Sequence, residues 1–185
     1  MNISLTSGFG QFHTNEVDPE KPEKKLKPYV SIDLAGIQAL VDKPQRMAKA
    51  QAQWLIPSTL PSREFKQQEQ YGKFWLLWAD LDKEPLPIDV LAQGVDSLGC
   101  FDYEIYTSRS ATQINQKARL LIPLNQPLSG AQWVMAQDVL NDKLTALGAT
   151  PDTANLGFAQ LCYLPNGGEF YQSASCRLGN IFNPF

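Results

Sequence analysis

Between Phe74 and Leu81 the chain runs Phe-Trp-Leu-Leu-Trp-Ala-Asp-Leu, seven apolar residues around one carboxylate. A near-continuous apolar run of this length predicts a central strand buried on both faces. The run closes in charge at Asp80, Asp82, Lys83 and Glu84, and Pro85 and Pro87 prevent the ladder from continuing. Residues two apart on a strand share a face, so Asp80 and Asp82 present their carboxylates together while Leu81 turns the other way. Val90, Leu91, Val95 and Leu98 then return to helical spacing, which predicts a helix over Ile88 to Leu98.

The segments on either side supply the rest of an α+β layout. Asp102 to Ser108 and Ala118 to Leu124 read as two strands of a hairpin around the polar loop Arg109 to Lys117. Ser129 caps a helix running to about Leu147, with Trp133, Ala136, Val139, Leu140, Leu144 and Leu147 as its apolar stripe and Gly148 as its stop. Ser31 caps a shorter helix on Leu34, Ile37 and Leu40. Phe158 to Leu164 is strand-like ahead of the turn Pro165-Asn166-Gly167-Gly168. Residues 1–30 read as a polar amino-terminal arm, broken by prolines and rich in lysine and glutamate from Thr14 to Pro28, and residues 31–185 as a single domain. A chain of 185 residues, 43% hydrophobic, is enough for one substantial core.

Charge and cysteine usage narrow the function. A net charge of -3 exerts no general attraction on phosphates, so any nucleic-acid surface has to be a local basic patch. The best such stretch carries Arg46, Lys49, Arg63 and Lys66 around Trp54, although with Trp54 packed inward the same stretch reads as a solvated loop. Cys100, Cys162 and Cys176 are far apart with no CxxC pair, which argues against a zinc ribbon or a disulfide framework and for buried reduced thiols. The first residues lack a basic and apolar leader, and no apolar run approaches a membrane span, so a cytoplasmic protein without membrane contact is expected. His13, beside Phe9 and Phe12, reads as a packed or solvated histidine rather than a ligand.

The Asp80 and Asp82 pair suits a hard divalent cation, Mg2+ or Mn2+, which takes oxygen ligands and is commonly held by one or two carboxylates plus substrate phosphates. Acidic residues at the end of a buried strand are also common as solvated loop charges, and the pair alone leaves both readings open.

Four blocks in order resemble the archaeo-eukaryotic primase (AEP) superfamily, in particular the primase-polymerase domains of phage and plasmid replication proteins. They are Phe74 to Asp82, Tyr106 to Thr112, Lys117 to Leu124, and Asp152 ahead of Gln160 to Pro165, and the resemblance covers roughly Trp54 to Tyr171. It implies an RRM-like antiparallel or mixed sheet with flanking helices. It also implies a DNA primase or polymerase activity with Asp80, Asp82 and Asp152 as catalytic metal ligands. Nucleotide contacts would come from Ser108, Arg109, Ser110, Lys117 and Arg119, and contacts to a single-stranded DNA template from Arg46, Lys49, Arg63 and Lys66. Nucleoside triphosphates are the implied substrates.

The chain contains no GxxxxGK[ST] sequence, so a helicase would act from a further module in cis or from a partner in trans. The family's second motif, a small residue, any residue, then histidine, is replaced here by Ser108-Arg109-Ser110-Ala111. Arg109, or Lys117 with Arg119, would supply the missing phosphate contact. The competing readings are a module that has lost synthesis and only binds DNA or nucleotide, a metal-dependent nuclease on the same carboxylates, and an interaction module with structural acids. Arg119 reads equally as a strand-face charge paired with a nearby carboxylate, and Asp152, after Pro151, as a turn or cap residue.

Overall fold

The computed structural model describes residues 3–10 and 28–184. His13 and most of the expected arm lie outside the described residues. The elements are β1 (Leu5–Phe9), β2 (Val30–Ile32), α1 (Leu34–Asp42), β3 (Gln53–Leu55), α2 (Phe65–Tyr71), β4 (Phe74–Leu81), α3 (Ile88–Leu98), β5 (Tyr103–Thr107), β6 (Ala118–Leu128), α4 (Gly130–Ala146), β7 (Cys162–Tyr163) and β8 (Ser173–Cys176). Single 3-10 turns lie at Lys49–Gln51 and Thr153–Leu156.

The strands form two four-stranded antiparallel sheets, ordered β4-β6-β5-β8 and β2-β1-β3-β7. Because β4 and β5 are each antiparallel to β6, they are parallel to one another, and α3 is the crossover between them. This is the split β-α-β arrangement of RRM-like sheets. One apolar cluster joins the two sheets, with Leu5, Ile37 and Leu55 packed in the same core as Trp78, Leu121 and Trp133. Trp133 stacks on Phe74 at 4.5 Å between ring centroids.

Strand β4 has the expected bounds and the expected burial, but it lies at an edge of its sheet rather than at the centre. Its outer backbone groups would cost free energy if left unpaired away from water. They are covered instead mostly by side chains, with backbone partners at Trp75 N and Asp80 O. Trp133 Nε1 donates to Leu76 O at 2.8 Å. Gln137 Nε2 donates to Trp78 O at 2.7 Å, and its Oε1 accepts from Trp78 N at 3.1 Å. Asn155 Nδ2 donates to the same carbonyl at 2.9 Å and exchanges amide hydrogen bonds with Asn141. Helix α4 therefore completes the sheet edge with side-chain amides. This is why Gln137 and Asn141 are buried while Val139, expected in the apolar stripe, is exposed.

Other differences are local. Residues 5–9, expected in a polar arm, form strand β1, four of whose five residues are buried. Ser31 belongs to β2, and Asp33 caps α1 by accepting from Gly36 N at 2.8 Å. Helix α2, in the stretch read as a basic loop, has no counterpart in the sequence expectations. The strand expected over Phe158 to Leu164 shortens to Cys162–Tyr163, because Gln160 N closes a turn onto Gly157 O before it. Strand β6 continues past Leu124 to Leu128, with the ladder irregular opposite Pro123 between Phe74 and Leu76. Ser129 caps α4 as expected, in a full capping box with Gln132.

Candidate functional site

The register of three strands sets the acidic centre. Asp80 of β4 is opposite Arg119 of β6, and Arg119 is opposite Tyr106 of β5. Arg119 Nη2 donates to Asp80 Oδ2 at 3.0 Å, and Arg119 itself is only 8% exposed. Two residues along, Lys117 Nζ lies 3.7 Å from Asp82 Oδ2. Asp152 is tied to the same strand end by its backbone, its N–H donating to Asp80 O at 2.8 Å. Its carboxylate caps the following 3-10 turn by accepting from Ala154 N at 3.0 Å.

Burial raises the Asp80 carboxyl above its ordinary range. Arg119 opposes that rise, and the neighbouring carboxylates of Asp82 and, less strongly, Asp152 add to it. Burial also works against the charge on Arg119, but Asp80, with Tyr106 and Cys162 adding to it, outweighs burial and the guanidinium stays protonated. Behind the pair, Tyr106 OH donates to Tyr163 O at 2.8 Å and bridges the two sheets. The buried Cys162 thiol is pushed up to about 12 by desolvation, so it stays protonated and is no nucleophile. Of the three thiols, which are all free, Cys162 alone is fully buried and Cys100 is exposed.

Three polar atoms at this centre are shielded from solvent and lack a hydrogen-bond partner: Asp80 Oδ1, Asp82 Oδ1 and Arg119 Nε. Buried carboxylate oxygens that accept from no donor are suited to coordinating a cation. Two such oxygens fit one hard divalent ion shared with substrate phosphates. A three-aspartate centre is not assembled: among the described residues no group of three or more His, Cys, Asp or Glu is placed to hold a metal. Asp152 is next to Asp80 through its backbone, but its carboxylate is occupied as a cap.

Beside the pair opens a cavity of about 310 Å³, lined by Asp82, Arg119, Ser108, Arg109, Ser110 and Lys49 together with Ala52, Tyr163, Leu164 and Asn166. A second, more open concavity of about 500 Å³ shares Arg109 and Ser110 with it and adds Arg46, Thr112 and Gly168. The Pro165 to Gly168 turn forms the wall between them. Asn166 pairs its amide with both Met47 N, at 3.1 Å, and Met47 O, at 2.9 Å, which fixes the segment carrying Arg46 and Lys49. Arg109 Nη1 donates to Gly167 O at 3.2 Å. A Cβ at Gly168 would collide with the Arg109 carbonyl oxygen, so glycine is required there by close approach.

Among residues expected at the site, Asp82, Ser108, Arg109, Ser110, Arg119 and Lys49 line the cavity, and Arg46 lines its neighbour. Arg63 and Lys66 line neither. Arg63 lies over the buried Trp54 ring at 5.6 Å from its centroid, and Lys66 is on α2. Trp54 is fully buried, as the inward-packed reading required. Tyr163 and Asn166 were not anticipated. Lys49 Nζ stands 5.1 Å from the Tyr163 ring centroid. The asparagine within a Pro-Asn-Gly-Gly turn was the available signal for Asn166, while Tyr163 was legible only as a strand residue.

Among the described residues, two antiparallel sheets and four helices, with the acidic strand end beside the intersheet cavity, make an α+β fold of the AEP primase-like class. Among solved structures it is similar to the AEP domain of the primase-polymerase (PrimPol) of cyanophage S-2L, with a TM-score of 0.56 and 13% identity over 98% of this chain and 85% of that one. At that identity the likeness is one of fold. No protein-family model and no curated protein matches the sequence. Among the described residues no helix is long and apolar enough to cross a membrane.

Proposed function

We propose that this chain is a primase-polymerase-like domain of a phage or plasmid replication protein, carrying out metal-dependent nucleotidyl transfer on a single-stranded DNA template. The observation that carries this reading is the pair of solvent-shielded, donor-free oxygens, Asp80 Oδ1 and Asp82 Oδ1, beside a cavity lined by Asp82, Arg109, Arg119 and Lys49. The fold shared with a PrimPol domain supports it.

Asp80 and Asp82 would hold Mg2+ or Mn2+. Such an ion would supply neutralisation of the charge on the triphosphate and on the pyrophosphate leaving group. Arg109 and Lys49 grip the phosphates from the cavity walls, and the Arg109 fork takes the place of the family's missing histidine. Arg119 holds Asp80 in the orientation its register sets. A 3'-hydroxyl then attacks the α-phosphate in line and pyrophosphate leaves, with catalysis coming from positioning and charge neutralisation. Arg46, in the adjoining concavity, meets the template backbone, with Arg63 and Lys66 as outlying contacts. A helicase module, in cis or in trans, would supply the opened strand.

The test is template-dependent incorporation of labelled nucleotide in Mn2+, with Asp80→Ala as control. Wild type indistinguishable from the variant sinks the polymerase reading. A specific observation favours one alternative, a non-catalytic module that binds nucleotide or DNA. Both carboxylates of the pair already face cations, Arg119 and Lys117, and Asp152 is occupied as a cap. Nucleotide binding without incorporation would establish that alternative. Degradation of labelled single strands without added nucleotide would instead favour a nuclease.

A further inference from the structure

The loop between β5 and β6 holds one apolar side chain out in solvent. Ile114, at its tip, is 97% exposed, more than any other large apolar residue described. The tip is a closed turn: Thr112 N donates to Asn115 O at 3.0 Å, Asn115 N returns to Thr112 O at 3.2 Å, and Thr112 Oγ1 accepts from Asn115 N at 3.1 Å. Gln116 braces it from two sides, donating to Gln113 O at 3.2 Å and accepting from Ile88 N, at the start of α3, at 2.8 Å. At the loop's base Ala111 is buried and its N–H donates to Ser108 O at 3.1 Å.

A single exposed apolar residue is ordinary on a protein surface. This one differs in where it stands and in how firmly it is held. Its loop, Ser108 to Lys117, contains Arg109 and Lys117 and no acidic residue, in a chain whose net charge is -3. The same loop lines both cavities, through Ser108, Arg109 and Ser110 in one and Ala111 and Thr112 in the other, where Arg46 and Arg109 outnumber the one acid, Glu169, while Lys117 is paired with Asp82. A rigid apolar tip rising from a basic rim matches the way proteins wedge a side chain between bases. The strand's phosphates are held from below, and the apolar group replaces a neighbouring base in the stack.

We propose that Ile114 is such a wedge, inserting between consecutive bases of a bound template strand and unstacking the base that approaches the cavity. This rests on the nucleic-acid reading above. Burying the isoleucine against bases recovers apolar surface that the free protein leaves in water, and the bracing by Gln116 means little order has to be created on binding.

The test uses the full chain and primer-template DNA with 2-aminopurine placed at successive template positions. Wild type is expected to raise the fluorescence at one position, by unstacking it. Ile114→Ser is expected to lose that rise and to bind the DNA about tenfold more weakly, the low end of what burying one isoleucine side chain contributes, with nucleotide affinity and melting temperature unchanged. Ile114→Leu should retain both effects. An equal rise in wild type and Ile114→Ser overturns the wedge while leaving the nucleic-acid reading intact. A loss of affinity with the rise retained overturns it too, since that is contact without unstacking. Failure of wild type to bind DNA by anisotropy removes the nucleic-acid reading and the wedge with it.

Discussion

Asp80 and Arg119 are register partners across β4 and β6, and a 3.0 Å hydrogen bond from Nη2 to Oδ2 joins them where little solvent reaches. Removing one partner of such a pair leaves the other charge buried and unopposed, at a cost of about 3 kcal/mol. Arg119→Ala is therefore expected to lower the unfolding free energy, read from denaturant titration, by that amount. Arg119→Lys should recover only part of it, because an ammonium cannot reproduce the planar fork. A loss below about 0.5 kcal/mol would mean that water screens the pair.

The pH response follows from the raised Asp80 carboxyl. Folding holds the proton more tightly than the unfolded chain does, so the contribution of this group to stability is complete below its ordinary value of 3.8 and is lost as pH rises through the folded value. Cation binding needs the ionised form, so the acid limb of Mn2+ affinity should lie above the usual carboxylate range. Asp152→Asn, which removes one of the charges opposing ionisation, should move that limb to lower pH. Mn2+ titrations followed by electron paramagnetic resonance between pH 3.5 and 7, a range chosen to span the carboxylate region, would read both. A limb at the position of a free carboxylate contradicts the expectation.

Gln137 stands in for a neighbouring strand, meeting both the N–H and the C=O of Trp78. Gln137→Leu keeps the volume but leaves the Trp78 N–H without a partner and its carbonyl with Asn155 alone, and should cost about 2 kcal/mol. The Trp78 amide should also exchange with solvent faster than those of β5. Unchanged exchange at Trp78 would show that water or Asn155 takes over the bonds.

Gly168→Ala forces the turn away from Arg109, because the new methyl meets a carbonyl oxygen rather than a side chain that can swing aside. The bond from Arg109 to Gly167 O should break, with a loss of about 1–3 kcal/mol in stability. Nucleotide affinity should weaken as Arg109 loses its support. Isothermal titration with a Mn2+-nucleotide would show it, and unaltered affinity would place Arg109 outside the phosphate site.

Much of the second sheet was legible along the chain. The run Phe74 to Leu81, the helix over Ile88 to Leu98, the hairpin around Arg109 to Lys117 and the Ser129 cap all depend on neighbours within a few residues, where periodicity, proline and capping chemistry act directly. Asp80 and Asp82 share a face for the same local reason. The first sheet was less legible: β1, β2, β3 and β7 are short, and they exist because residues some 20 to 110 positions apart pair with one another.

The site divides along the same line. Alternation along one strand sufficed to bring two carboxylates together, and a polar loop with Arg109 and Lys117 could be placed beside them. Tertiary packing alone decided that Arg119 pairs with Asp80, that Asp152 lies beside Asp80, and that Gln137 and Asn141 face inward. Each of these is settled by pairing register or by the hydrogen-bonding demand of an uncovered strand edge, and neither quantity is carried by the spacing of residues within a single element.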